Sequence, residues 1–326
     1  MKPVVLVTGP IFPKTREILE REFTCHRLYE ATDRAALLKE VGREVRGLAT
    51  FGPWGADAAL IDALPALEII SNFGVGVDAI DLEAARRRGI VVTNTPEVLD
   101  DCVADTAIAL VLNTLRRFPQ AERWLRSGHW ASRGAYPLAT ALRGKTMGVL
   151  GLGRIGEAIA RRALAFGMKV RYHNRRPKAV AYPYDPDPVT LAKNSDVLVV
   201  ATPGGPETRG LVDARVLDAL GPEGYLVNIS RGSVVDEPVL LAYLKAGKIA
   251  GAGLDVFDNE PNIDPEWFAL ENAVAAAARR QRHRRDAHRD GDAADREPAP
   301  SLRRKAGEDA GRLRRASAPH PGRAAR

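Results

Sequence analysis

At 326 residues and 45% hydrophobic, the chain is long enough for two compact domains of about 150 residues, each with its own core. Its two cysteines, Cys25 and Cys102, lie far apart and outside any CxxC or Cys/His spacing, which excludes a disulfide framework and a zinc site and leaves them as small apolar residues. The net charge of +7 is unevenly placed: residues 279–326 hold 15 Lys+Arg against 7 Asp+Glu, leaving 33 against 34 for residues 1–278, so the globular part is neutral and the basicity belongs to the tail.

The chain opens with Val4-Val5-Leu6-Val7, an apolar run of about five residues that stops at Gly9-Pro10, too short for a signal-peptide core and suited to a first β-strand. No apolar stretch approaches the roughly 18 residues of a membrane span, so the cytoplasm is the expected address. Short β-branched runs then alternate with amphipathic stretches: a helix over 15–23, a strand over 47–50, a helix over 59–64, a strand over 67–71, a helix over 82–88 and a strand over 90–93. Such alternation predicts a parallel sheet covered by helices.

Asn94-Thr95-Pro96 interrupts the pattern, and a long helical period follows through Val103, Ala107, Ile108, Val111, Leu112 and Leu115, where the chain is expected to cross between domains. A second alternating series begins at 144–150 and continues through strands over 169–173, 197–201, 225–229 and 251–255. The boundaries expected are 1–98 for the first domain, 99–278 for the second and 279–326 for a tail. In that tail Leu302 and Leu313 are the only large apolar residues, and no period builds a buried face, so disorder is expected.

Met147-Gly148-Val149-Leu150 runs into Gly151-Leu152-Gly153-Arg154-Ile155-Gly156 and then into a helical stretch ending at Gly167. A lone GxGxxG is weak evidence, but strand, glycine turn, helix and returning strand within about 30 residues is the dinucleotide-binding context. Gly151 makes the tight turn, Gly153 lets the backbone approach a pyrophosphate, and Gly156 permits close packing of helix on strand; the pyrophosphate sits at the positive end of the helix. The returning strand ends in Tyr172-His173-Asn174-Arg175-Arg176-Pro177. A carboxylate at Asn174 would bind the adenosine ribose and repel a 2′-phosphate, whereas a neutral amide followed by two arginines suits phosphate, so NADP(H) is the expected cofactor with NAD(H) second.

Six motifs in order resemble the D-2-hydroxyacid dehydrogenase family: Asn72-Phe73-Gly74-Val75-Gly76-Val77-Asp78, Asn94-Thr95-Pro96, Val103-Ala104-Asp105, the glycine turn, Asn228-Ile229-Ser230-Arg231-Gly232, and Gly253-Leu254-Asp255-Val256-Phe257 through Glu260-Pro261. The His173-to-Pro177 signature is most similar to that of the NADPH-dependent glyoxylate/hydroxypyruvate reductases. The resemblance implies an α/β protein of two doubly wound parallel-sheet domains, flavodoxin-like for substrate and Rossmann for nucleotide. It also implies a homodimer, a small 2-keto acid as substrate, no resident metal, and no membrane or nucleic-acid partner. Arg231 is implied as the catalytic and substrate-binding cation, Val75 and Gly76 as backbone donors to the substrate carboxylate, and Glu260 as the acid that raises a catalytic histidine's pKa. Thr106, Gly151, Gly153, Arg154, Ile155, Gly156, Asn174, Arg175, Arg176, Thr202, Pro203, Ile229 and Asp255 are implied around the cofactor. Phe51, Trp54 and Tyr136 are candidates for an apolar substrate wall, with core packing the equal alternative.

The family's proton donor is a histidine in a Pro-His-x-Gly-Ser-Ala motif after the last Rossmann strand, and this sequence lacks that motif. After Val274 the chain reads Ala275-Ala276-Ala277-Ala278-Arg279-Arg280-Gln281-Arg282-His283-Arg284-Arg285-Asp286-Ala287-His288. With Ala as GCN, Arg as CGN, Gln as CAG, His as CAY and Asp as GAY, a one-base shift from Ala277 permits Pro-His-Val-Gly-Ser-Ala-Thr-Val-Glu-Thr-Arg-Thr. The tail is therefore expected to be a frameshift product, natural or introduced in sequencing. His283 and His288 are the only histidines near enough to substitute, and neither has the motif around it. The competing class is a dinucleotide-sensing, corepressor-like binding protein that uses the basic tail on nucleic acid; the tail offers no aromatic residue for base stacking, so its affinity would be phosphate-driven and salt-dependent.

Overall fold

A computed structural model describes residues 2–276 and divides by its contacts into two units, the first running to Thr95 and the second starting at Pro96. The tail over 279–326, with His283 and His288, lies outside the described residues.

The first unit runs β1 (Val4–Val7), α1 (Pro13–Glu22), β2 (Thr24–Arg27), α2 (Arg34–Val41), β3 (Val45–Phe51), α3 (Ala58–Asp62), β4 (Ile69–Phe73), α4 (Leu82–Arg87) and β5 (Val91–Thr93). Its sheet has the order β2-β1-β3-β4-β5 with every pair parallel. The period of two decides the faces: Leu6, Leu48 and Ile70 pack with Leu28, Ile61, Leu64 and Ile80, whereas Val5, Val7 and Ala49 pack with Phe23. Three helices start on aspartate caps, Asp33, Asp57 and Asp81, whose carboxylates accept from the N–H groups of Ala36, Leu60 and Ala84.

The second unit begins with α5 (Asp100–Arg116), α6 (Phe118–Arg126) and α7 (His129–Arg133). It continues through β6 (Thr146–Leu150), α8 (Arg154–Ala165), β7 (Lys169–His173), α9 (Pro188–Lys193), β8 (Val197–Val200), α10 (Ala214–Leu220), β9 (Tyr225–Asn228), α11 (Glu237–Lys245), β10 (Gly251–Leu254) and β11 (Ala273–Ala275). The parallel sheet has the order β11-β10-β9-β8-β6-β7. The central strands β8 and β10 are buried at every position, which is why their sequences read as continuous small and apolar runs. A single large core joins Leu150, Leu198, Val200, Leu226 and Leu254 to Leu217 of α10 and Leu240 of α11.

The expected α/β class with two doubly wound parallel sheets is the architecture observed. The change of unit falls between Thr95 and Pro96, ahead of the long helix α5. Among the described residues no helix is long and apolar enough to cross a membrane.

Candidate active site

In the second unit β6 lies between β7 and β8, so the connection from β6 to β7 and the return to β8 leave the sheet on opposite sides. The loops at the carboxyl ends of β6 and β8 therefore part, and a crevice opens at this switch of strand order. Gly151, the first residue after β6, has φ +101, and a Cβ there would stand 2.8 Å from the Ala201 carbonyl carbon and the Thr202 nitrogen. Only glycine lets the two loops touch. At Gly156 a Cβ would lie 2.3 Å from the Gly151 carbonyl oxygen, so α8 packs close beneath the turn. Gly153 differs: a Cβ there would meet nothing within 4 Å, leaving open space above the turn at the amino end of the twelve-residue helix α8. This cradle fits a pyrophosphate. Across the crevice the Thr202 hydroxyl is buried and has no hydrogen-bond partner among the described residues, as expected of a group that a bound ribose or amide satisfies.

The remaining cofactor candidates divide by what their side chains hold. Arg154 is paired with Glu97 at 3.0 Å and Asp100 at 2.8 Å, so with Ile155 it offers the turn its backbone. The Asn174 carbonyl oxygen accepts from Leu152 N–H at 2.6 Å and its amide donates to Leu152 O at 3.3 Å, so it braces the glycine turn. Arg175 is exposed and paired with Glu207; Arg176 is exposed with no ion pair among the described residues. Lys178 joins them unforeseen, its ammonium donating to Leu152 O at 3.1 Å and to the Glu157 carboxylate. Nothing in the spacing singled out this lysine, because it acts through a turn folded back from β7. Thr106 spends its hydroxyl on the Cys102 carbonyl one turn back in α5, at 3.0 Å. Pro203 O accepts from the Thr208 hydroxyl at 2.8 Å, closing the loop after β8.

At the carboxyl end of β9, Ile229 is buried and Ser230 donates its hydroxyl to Thr202 O, joining this loop to the previous one. Arg231 follows in a turn held by its own carbonyl, which accepts from the Asn228 amide at 2.9 Å. Asp255, at the end of β10, is completely buried and its N–H donates to Asn228 O at 3.0 Å. Glu260 accepts from Phe257 N–H at 2.9 Å, folding the 257–260 loop on itself. Glu237, at the start of α11, was not foreseen: its carboxylate accepts from Asp258 N–H at 2.6 Å. Burial pushes its pKa up to about 7 against the downward pull of that hydrogen bond, and the nearby Asp258 and Glu260 charges add smaller upward pushes.

In the first unit the loop after β4 is built by side-chain amides. Asn72, 3% exposed, donates to Gly74 O at 3.1 Å and Gly76 O at 2.9 Å, and Asn94 donates to Val75 O at 2.9 Å. The Thr95 hydroxyl accepts from Gly74 N–H at 3.0 Å, and Gly74 has φ +145. With three successive carbonyls claimed, the N–H groups of Val75 and Gly76 are left with no acceptor among the described residues. Consecutive N–H groups of this kind can receive an anion such as a carboxylate. Trp54 is 44% exposed and covers Gly9, while Phe51 ends β3 half-buried. Tyr136 belongs to the second unit, edge-on to Trp124 with ring centroids 5.8 Å apart.

Comparison with known proteins agrees with this architecture. Residues 108–277 match the family described as D-isomer specific 2-hydroxyacid dehydrogenase, NAD binding domain. The chain is 46% identical over 271 residues to glyoxylate/hydroxypyruvate reductase A of Arabidopsis thaliana, covering 83% of this chain and 86% of that protein. It is 45% identical to 2-ketogluconate reductase of Gluconobacter oxydans, over 85% of this chain and 88% of that one. Among solved structures, the NADPH-dependent glyoxylate/hydroxypyruvate reductase of Sinorhizobium meliloti, in complex with NADP and malonate, superposes with a TM-score of 0.85 at 47% identity, covering 90% of this chain and 92% of its own.

Proposed function

The chain belongs to the D-isomer specific 2-hydroxyacid dehydrogenase family, and from that premise we propose that its two units are those of an NADP(H)-dependent reductase of small 2-keto acids, glyoxylate or hydroxypyruvate in type, with NAD(H) as a weaker second cofactor. The observation that carries this reading is the open cradle at Gly153 beside the unsatisfied Thr202 hydroxyl, at the switch point where a dinucleotide belongs. When bound, the nicotinamide supplies the hydride. Arg231 then holds the substrate carboxylate and polarises the carbonyl, charge-assisted bonds of the kind that strengthen as an alkoxide develops. In the first unit the Val75 and Gly76 N–H groups are offered to a carboxylate, and in the second Glu260 supports the proton donor electrostatically. Arg175 and Arg176 clamp the adenosine 2′-phosphate, which displaces Glu207 from Arg175.

That donor is the weak point of the chain as written. The family match ends at 277 and no Pro-His-x-Gly-Ser-Ala follows it, which supports reading 277–326 as the product of a one-base shift. A chain without the histidine keeps the cofactor cradle and Arg231 but loses the proton transfer, a factor of about 10² to 10⁴ in rate. A homodimer is supported by large apolar side chains exposed on the second unit, Phe118, Leu125, Trp130 and Leu138.

Fluorescence titration tests the cofactor assignment directly. NADPH is expected to bind at least about tenfold more tightly than NADH, and Arg175→Ala with Arg176→Ala should erase the difference by weakening NADPH alone. Equal affinities in the unaltered chain, or no binding of either nucleotide, contradict it. Filter binding of DNA at two salt concentrations, run beside it, addresses the corepressor alternative, which requires retention at the lower salt that falls away at the higher.

A further inference from the structure

Two segments that carry the proposed chemistry approach each other more closely than any side chain would permit. A Cβ on Gly232 would stand 2.0 Å from the Asp258 nitrogen and the Phe257 carbonyl carbon, so the turn holding Arg231 lies backbone to backbone against the loop holding Glu260. Such a contact excludes water and fixes spacing, but it supplies no directional bond. That bond comes from five residues further on, where the partly buried Glu237 carboxylate at the head of α11 accepts from Asp258 N–H at 2.6 Å. The other end of the same loop is closed by Glu260 accepting from Phe257 N–H at 2.9 Å. Around this pair of carboxylates stand Asp258 itself, Asp236 capping α11 through Val239 N–H, and Arg209, 3.9 Å from the Asp258 carboxylate.

Taking a carboxylate out of water beside two other acids is unfavourable, so its presence where a glutamine or an apolar residue would fold more cheaply calls for a reason. Helix α11 supplies none, since its amino end is already capped by Asp236. We infer that Glu237 is a positioning residue that latches the Phe257–Glu260 loop onto the Gly232 turn and so holds the Arg231 guanidinium and the Glu260 carboxylate in one fixed geometry. It touches neither substrate nor cofactor; its effect passes through the Asp258 backbone. This rests on the proposed role of Arg231 as the carboxylate anchor.

The test uses the full chain loaded with NADPH and oxalate as a stable mimic of the 2-keto acid. Glu237→Met keeps the volume and removes the acceptor; Glu237→Gln keeps an acceptor oxygen in place. In Glu237→Met, hydrogen exchange at Asp258 should speed up about tenfold and oxalate should bind about fivefold more weakly, while NADPH affinity stays unchanged. Glu237→Gln should restore both values. Protection and oxalate affinity unaltered in Glu237→Met would overturn the latch, and so would a Glu237→Gln variant as impaired as Glu237→Met. Should Glu237→Met not fold, Glu237→Gln still decides: wild-type protection supports the latch and lost protection rejects it. Arg231→Ala separates the two layers, because unimpaired oxalate binding there removes the anchor role itself, whereas Asp258 protection continues to report on the latch alone.

Discussion

Gly153 and Gly156 stand three residues apart and answer to different forces. Gly156 is required by packing, since an added methyl would drive into the Gly151 carbonyl, whereas Gly153 has nothing near it to strike. Gly156→Ala should therefore destabilise the second unit by about 1–3 kcal/mol, read as an earlier denaturant midpoint. Gly153→Ala should leave that midpoint where it is and weaken NADPH binding instead, by about tenfold or more, because its methyl occupies the space a pyrophosphate needs. The residue scale is also where the sequence speaks least. The glycine spacing, Arg231 and the Asn72 loop are visible as motifs, because each is a local run with a fixed backbone task. Glu237 and Lys178 are not, since their partners lie 21 and 26 residues away and only the folded chain brings them together.

The elements behave as their periods require where they are long, and less so where they are short. The strand β8 follows from its valine run, and α8 from its glycine turn, but β2, α2, α9, α10 and α11 have four to nine residues and little apolar period of their own. Tertiary packing, with Leu217 of α10 and Leu240 of α11 in the main core, determines them instead. At the head of α11, Glu237 imposes a pH dependence on the whole unit. Its folded pKa is raised from 4.5 to about 7, so between those values the folded state retains a proton that the unfolded state has released. Stability therefore falls as pH rises through this window and is level above it. Urea melts of Glu237→Gln against wild type at pH values of about 5, 6 and 7 should show the wild type losing the larger part of its stability; parallel declines would refute the assignment.

At the scale of the molecule, the two-sheet plan was legible because strand and helix alternate twice, and the family because six motifs fall in order across both sheets. Assembly is less legible, since an exposed apolar side chain declares its partner only through the surface it shares. If the exposed Leu125 and Trp130 lie in a homodimer contact, Leu125→Glu with Trp130→Glu should shift the protein from dimer to monomer in sedimentation without loss of secondary structure. A wild type that sediments as a monomer contradicts that contact.

The central claim is that these units form a 2-keto acid reductase whose proton donor was displaced with the reading frame at Ala277. The direct measurement is steady-state NADPH oxidation with glyoxylate and with hydroxypyruvate, comparing the chain of this sequence with one in which a single-base deletion at codon 277 restores Pro-His-Val-Gly-Ser-Ala. The restored chain is expected to turn over about 10² to 10⁴ times faster at similar NADPH affinity. A restored chain that reduces neither acid faster than the original contradicts the account.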